Sequence, residues 1–335
     1  MLERSRYQAK RLQELGRAVR VDRQLERHDT LQREAIEALQ QHALGKLVRH
    51  AAQHSAFYGE HLGRVDLDAD IRLGDLPTVT RDELMTDFDR WVTNPDLGLD
   101  AVQAHLEALG RSDEYFRNRY RVVTTGGSSG KRGVFLFDRR EWSIVLAVTL
   151  RWGRLMGVTP RLPNRVRSAA IAAGSPLHVT YRVAATADVG LASVLRLDAT
   201  MPVPELVEAL NGFQPEHLHA YPSIAALLAD EQEAGRLHIA PRVVSTSSEL
   251  RTPEMTERIR AAWRNDPFDC YGITEVCSAA TASFTAASTR STTCSSSRSS
   301  MKRDGRYATA KAVTTCSSPT SPTARSRSSA TRSPT

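Results

Sequence analysis

The sequence predicts an α/β fold, with a mainly parallel sheet and flanking helices, a helical region before it and a patternless tail after it. Three observations lead there. From Glu141 onward, amphipathic helical stretches alternate with short apolar runs bounded by Gly, Pro or polar residues, the pattern of repeated βα units. Before them, Val122 to Asp138 reads as strand, loop and strand, with a loop of Thr, Ser, Gly, Lys and Arg. After them, the last apolar run, Phe268 to Tyr271, passes into Tyr271-Gly272-Ile273-Thr274-Glu275. In open α/β sheets ligands bind at the carboxyl ends of strands.

Taken in order, residues 2 to about 57 read as charged helix. Leu31, Ile36, Leu39, Ala43 and Leu47 recur at spacings of three to five, which turns one face toward a neighbour. His28, His50 and His54 stand near that face and read as packed or solvated rings before metal ligands. Pro77 marks a turn. Thr80 then reads as an N-cap, with Glu83 closing a capping box. Arg90 to Gly98 reads as loop and Asp100 to Leu109 as helix. Val134 to Phe137 is the strand leaving the Gly-rich loop. Glu141 to Met156 is a helix whose apolar face holds Trp142, Val145, Leu146, Leu150 and Leu155.

Strands are then expected at Val166 to Ala173, Ser193 to Leu197, His217 to Ala220, Val243 to Ser245 and Phe268 to Tyr271. Helices are expected at Pro204 to Leu210, at Pro222 to Ala234 with Pro222 in the first turn, and at Pro253 to Trp263 behind Thr252 as cap. Cys270 reads as a small core residue. The predicted units are a helical region over 1–95, an α/β core over 96–276 and the tail over 277–335.

The formal net charge of +7 invites a nucleic-acid reading, but its location argues against one. Residues 277–335 carry nine Lys or Arg and one Asp, so the remaining 276 residues balance at −1. The body has no excess positive charge to hold a polyanion. The tail holds 28 Ser or Thr among 59 residues, one Val, and neither Leu nor Ile. Such a segment cannot bury enough apolar surface to offset its ordering entropy. Three of the four cysteines, Cys277, Cys294 and Cys316, lie there without metal-ligand spacing. Three readings of the tail stand: a disordered Ser/Thr/Arg tail, a basic arm for nucleic acid, or translation in a shifted frame. The abrupt change at Val276/Cys277 favours the shifted frame, and with it a core domain cut short. No run approaches the roughly 18 apolar residues of a membrane span. The start, Met-Leu-Glu-Arg-Ser-Arg, leads into charged helix and not into a signal peptide. The expectation is a cytoplasmic protein with no membrane partner.

The loop Thr124-Thr125-Gly126-Gly127-Ser128-Ser129-Gly130-Lys131 concentrates hydroxyls, glycines and a cation. Backbone N–H groups and hydroxyls in such a loop can surround phosphate oxygens while the cations balance their charge. A hairpin with no ligand is the plain alternative. A Walker loop is excluded, because Thr125 stands where its first Gly belongs and Arg132 follows Lys131 in place of Ser or Thr. A P-loop kinase falls with it. Tyr271 to Glu275 follows about 140 residues later. There Tyr can stack on a base, Thr can hydrogen-bond a phosphate, and Glu can hold Mg²⁺ directly or through water.

That pair of motifs, in that order, resembles the adenylate-forming superfamily of acyl-CoA synthetases, and more closely its phenylacetate–CoA ligase-like branch. Leu47 to Ala52 with Ser55 to Tyr58, Asp75 to Leu84, Tyr221-Pro222-Ser223, and Ser247-Ser248-Glu249-Leu250 look like further stretches of that branch. The resemblance covers roughly residues 10 to 276. It implies the large N-terminal domain of an adenylate-forming enzyme, using ATP, Mg²⁺ and coenzyme A. A carboxylic acid, aryl or other, would be activated to an acyl-adenylate and passed to the CoA thiol.

By position, Thr124, Thr125, Gly126, Gly127, Ser128, Ser129, Gly130 and Lys131 would cradle the β- and γ-phosphates. Ser248 and Glu249 would lie against adenine, with Tyr271 and Gly272 beside them and Tyr271 stacked on the base. Thr274 would contact the α-phosphate and Glu275 would position Mg²⁺. Lys131, Thr274 and Glu275 are the implied catalytic set. The acid would lie among Ala173 to Arg182, Tyr221 and the segment before Tyr271, where His178, Tyr181 and Arg182 are either carboxylate contacts or ordinary loop residues. The chain departs from the family in two places. Ser247-Ser248 replaces the usual Gly of the adenine turn, and beyond Glu275 no ribose-binding Asp, hinge cation or late Lys is recognised. The rival is therefore an inactive, truncated product that only binds nucleotide. Nucleic-acid binding through the tail is weaker, and a homodimer is left open.

Overall fold

The structure, a computed structural model, describes residues 2–109, 114–126, 132–159, 165–187, 192–276, 280–282 and 306–308. The chain opens with α1 (Leu2–His28), α2 (Arg33–His54) and α3 (Ala56–His61). The charged stretch is thus three helices and not one. Ser55 ends α2 in extended backbone, and its hydroxyl accepts the Tyr58 N–H to start α3. His50 and His54 stack on each other, 4.2 Å between centroids.

Strand β1 (Thr78–Thr80) feeds α4 (Arg81–Thr86), and the expected capping box is present. The Glu83 N–H donates to Thr80 Oγ1 at 3.2 Å, and the Thr80 N–H to Glu83 Oε2 at 2.6 Å. A short α5 (Phe88–Trp91) intrudes on the stretch read as loop, because Phe88 is buried against the hairpin core. Next come α6 (Leu99–Leu109), β2 (Arg121–Thr124), β3 (Val134–Phe137) and α7 (Arg139–Leu155).

The β2–β3 pair is antiparallel, with Val123 opposite Phe135 and Thr124 opposite Val134. Its period of two gives each face a core. Val123, Phe135 and Phe137 pack with α1 and α7, while Val122 and Val134 pack with α5 and α6. The hairpin is therefore clamped on both sides. Its foot is held by a buried charge cluster. The Tyr115 hydroxyl donates to Glu14 Oε1 at 2.8 Å, and Arg139 Nε lies 3.3 Å from the same oxygen. Arg121 Nη2 lies 3.5 Å from Glu14 Oε2, with neither side chain exposed.

The main sheet follows as β4 (Val166–Ala172), α8 (Val179–Ala187), β5 (Ala192–Asp198), α9 (Val203–Phe213), β6 (His217–Ala220), α10 (Pro222–Glu233), β7 (Val243–Ser247), α11 (Pro253–Trp263) and β8 (Phe268–Tyr271). Strand order is β5-β4-β6-β7-β8, all parallel, with β9 (Ala280–Ala282) antiparallel on the far edge. A last strand, β10 (Arg306–Ala308), pairs with β1. The expected α/β fold with a mainly parallel sheet and flanking helices is what the chain has. Every predicted strand is found: β3, β6 and β8 have the expected bounds, and β4, β5 and β7 differ from them by one or two residues at an end. The two strands β9 and β10 are additions, since the tail showed no strand pattern; the rest of 277–335 lies outside the described residues.

One face of the sheet carries Ala169, Ile171, Leu218, Ala220 and Val244 under Leu206, Leu210, Leu228 and Ile259 of α9 to α11. Each fully buried Leu or Ile there contributes about 1.5–3 kcal/mol. The Thr252 hydroxyl caps α11 through the Met255 N–H, and Pro222 opens α10, as read from the sequence. Cys270 is buried beside Met156 and Val243, as expected of a core cysteine.

Candidate functional site

Strand order reverses between β4 and β6, since the chain goes from β4 outward to β5 and returns to β6 on the other side. Such switch points open a crevice at the carboxyl ends of the strands. Here the segment after β4 and Tyr221 after β6 flank it, and the Ala173 N–H donates to the Tyr221 hydroxyl across it at 3.0 Å. Ser248 and Glu249 follow β7 and are exposed; Tyr271 ends β8 with 40% of its surface exposed. Gly272, Thr274 and Glu275 continue from it, half-buried.

The end of β2 meets the segment that flanks this crevice. The Thr124 N–H donates to Leu177 O at 2.8 Å, tying β2 to the segment after β4. The neck of the loop is closed by two bonds: Thr125 N–H to Gly133 O, and Gly133 N–H to Thr125 Oγ1, both 2.9 Å. Gly126 lies beside His178, whose Cε1 would sit 3.5 Å from a Cβ at that glycine. Gly127, Ser128, Ser129, Gly130 and Lys131 lie outside the described residues.

Arg81 is a candidate that the sequence reading did not name. Its Cδ lies 3.3 Å from where a Cβ on Gly133 would stand, so the guanidinium arm runs along the loop neck. Its charge also reaches Glu275. Burial pushes the Glu275 carboxyl above the usual range, offset in part by its own backbone N–H and by Arg81. His178 is shifted the other way, lowered by burial and then by the Arg132 guanidinium. Arg81 and His178 thus flank the loop neck, while the charge of Arg132 acts on His178 and that of Arg81 on Glu275. The only sequence signal for Arg81 was its place inside a capping box, which says nothing about where its side chain goes.

The turn after β7 is held differently. Ser248 has φ of +71°, the left-handed region, which costs an L-residue about 1–2 kcal/mol. A Gly-like conformation is therefore kept where the resemblance expects Gly. Glu249 Oε2 accepts the Ser223 N–H at 3.1 Å, at the first turn of α10. Tyr181 and Arg182, read as loop, sit on α8 instead, and Arg182 is fully buried. Its charge lowers His105 after burial has done so. Of that trio only His178 stands at the crevice.

Among the described residues no group of three or more His, Cys, Asp or Glu converges as a metal cage. Glu275, half-buried just past β8, is the carboxylate on which the charge of Arg81 acts. One carboxylate fits a Mg²⁺ held mainly by phosphate oxygens and water. Nor, among the described residues, is any helix long and apolar enough to cross a membrane.

The sequence matches no family model, and no curated protein matches it. Solved structures do match. An open conformation of 2-hydroxyisobutyryl-CoA ligase in complex with 2-HIB-AMP and CoA aligns with a TM-score of 0.60 at 20% identity, over 77% of this chain and 59% of that one. The same ligase in the postadenylation state with 2-HIB-AMP gives 0.61 at 19% identity, over 77% and 53%. The chain thus spans between half and three fifths of the length of these ligases. At such identities the likeness is one of fold.

Proposed function

We propose that this chain is the nucleotide-binding part of an acid–thiol ligase of the phenylacetate–CoA ligase-like branch, proceeding from a fold shared with a ligase crystallised with an acyl-adenylate and CoA. The reaction has two steps. A carboxylate oxygen attacks the α-phosphorus of ATP, the bond to the β-phosphate oxygen breaks, and pyrophosphate leaves. A CoA thiolate then attacks the acyl carbon, and AMP leaves with the bonding pair. Catalysis of this kind is chiefly alignment and neutralisation of phosphate charge.

What supports the reading is Arg81, which lies beside the hairpin neck and acts by its charge on Glu275 just past the carboxyl end of β8. Thr124 to Lys131 would surround the β- and γ-phosphates, with Arg81 adding a second cation. Thr274 would meet the α-phosphate, and Tyr271, exposed beside the Ser248 turn, would cover adenine. Glu249, already engaged by α10, would shape that turn and leave the base to Ser248 and Tyr271. Glu275 would take Mg²⁺, which when bound neutralises phosphate charge. His178 would flank the acid, and Tyr221 would form the wall opposite.

The test is acid-dependent exchange of pyrophosphate into ATP across a panel of aryl, hydroxy and aliphatic acids. Exchange lost in Lys131→Ala and Glu275→Gln supports the reading; ATP binding unchanged by both substitutions sinks the site. A second reading, nucleotide binding without turnover, is favoured by the composition of 277–335, whose 28 Ser or Thr among 59 residues include no recognised late Lys motif. It predicts ATP binding with no exchange for any acid. Sequencing the gene through codon 276, and translating all frames beyond, tests the shifted-frame account of that composition.

A further inference from the structure

The sheet face opposite α9 to α11 carries a row of polar side chains that no motif includes. Ser168 Oγ lies 2.9 Å from His217 Nδ1, and His217 Nε2 lies 2.8 Å from Ser245 Oγ. Ser245 Oγ lies 2.9 Å from His219 Nδ1, His219 Nε2 3.1 Å from Ser247 Oγ, and Ser247 Oγ 3.3 Å from Ser248 Oγ. The register explains the line. His217 pairs with Ser168, His219 pairs with Ser245, and successive outward positions on β6 and β7 step toward the strand ends. The row therefore runs from the middle of β4 to the exposed turn at Ser248.

Both residues are half-buried on this face, and loss of water around the rings lowers His217 to about 3 and His219 to about 4. A neutral imidazole has one donor and one acceptor nitrogen. With two neutral rings the row closes as one directed chain. Ser168 donates to His217, His217 to Ser245, Ser245 to His219, His219 to Ser247, and Ser247 to Ser248. The Ser248 O–H is then left to face a ligand. The reversed chain leaves a Ser248 lone pair outward instead, and the half-buried Ser168 O–H then has no acceptor within the row.

We infer that His219 is a positioning residue for the turn at Ser248. It holds Ser247 from below and sets which hydrogen-bonding group Ser248 offers at the nucleotide end of the sheet. The inference rests on the nucleotide reading above for the identity of what binds there. The strained φ at Ser248 needs outside support, and the other ties, Glu249 to Ser223 and Arg251 Nη1 to Thr246 Oγ1 at 3.0 Å, do not touch its hydroxyl.

The experiment uses the full chain and two readouts: amide hydrogen exchange over residues 246–250 without ligand, and the Kd for ATP with Mg²⁺. His219→Ala should speed exchange at the turn and weaken ATP by about three- to tenfold, the size of one hydrogen bond. Ser248→Ala should weaken ATP by a similar factor, and the double variant should do no more than the worse single one. His219→Gln, whose amide can reach Ser247, should restore most of both effects. Ser247→Ala cuts the same link while keeping both rings, so it serves if His219→Ala does not fold. Exchange at 246–250 unchanged in His219→Ala and Ser247→Ala overturns the inference, as does additivity of the double variant. A turn that loosens in a protein whose parent binds no ATP supports the His219 link and overturns the nucleotide reading instead.

Discussion

Acid should unfold this protein through two imidazoles before its carboxylates titrate. His217 and His219 have an ordinary pKa of 6.5, lowered in the fold to about 3 and about 4. The unfolded chain therefore binds protons near 6.5 that the native state refuses. The stabilisation is fully present above that value and is lost as pH falls toward 4 and then 3. Between about pH 7.5 and pH 5 each ring is protonated only when unfolded, which costs about 2 kcal/mol per ring and about 4 kcal/mol together. His105 and His178 are lowered too and add in the same direction. Asp198 and Glu231 also have lowered values, but their loss begins near their ordinary 3.8 and 4.5. The upper window thus belongs to histidine. The assay is urea unfolding at both pH values for the parent and for His219→Gln, with imidazole ¹⁵N shifts alongside. The variant should lose about 2 kcal/mol less than the parent over that interval. Rings that titrate near 6.5 in the native state, or equal losses in both proteins, would refute the buried neutral row.

Three further outcomes are expected. Glu14→Gln removes the carboxylate shared by Arg121, Arg139 and Tyr115 and should cost about 3–5 kcal/mol by urea unfolding; a loss under about 1 kcal/mol would mean that the cluster is hydrated. Ser248→Gly should stay within about 1 kcal/mol of the parent, because relief of the left-handed strain offsets glycine's extra chain entropy, whereas Ser248→Val should cost more, and equal thermal stability of the two would contradict the φ of +71°. Arg81→Ala should raise the KM for ATP in pyrophosphate exchange by about tenfold or more, the worth of a charge-assisted hydrogen bond, and an unchanged KM would remove Arg81 from the site.

The parts of this fold that were legible in the sequence are those set by local rules. Alternating apolar runs located the five parallel strands, Thr80 and Thr252 marked helix starts where caps form, and Pro222 marked one without a side-chain cap. Misses fall where distant packing overrides a local pattern. Val179–Ala187 shows little beyond ordinary loop composition, yet it becomes helix because Val183 and Thr186 are buried against Trp142, whose Nε1 donates to Thr186 Oγ1 at 3.2 Å. The break at Ser55 was hidden because Ser is tolerated inside helices and only its bond to Tyr58 reveals a cap. The cap at Asp138, closed by Glu141, was legible as Asp-x-x-Glu and went unread.

The site divides along the same line. Motif residues could be proposed from sequence because loop chemistry needs certain residue types in order, as at Thr125 and Gly126 or at Tyr271 to Glu275. Arg81 and His219 could not, since neither sits in a motif that constrains its type. Each acquires a role only when the fold brings a second element to it: the hairpin neck to Arg81, β7 to His219. One consequence is that the two halves of the site differ in what would break them. On the proposed function, the phosphate half would depend on charges gathered from the N-terminal region and the loop, so it would be sensitive to single charge changes and to salt. The turn half depends on an uncharged hydrogen-bonded row, which tolerates salt but fails when either ring is protonated, because a cation there has two donor nitrogens and the row can no longer run in one direction. Salt and acid should therefore weaken nucleotide binding by separable routes, the first through Arg81 and the loop, the second through His219.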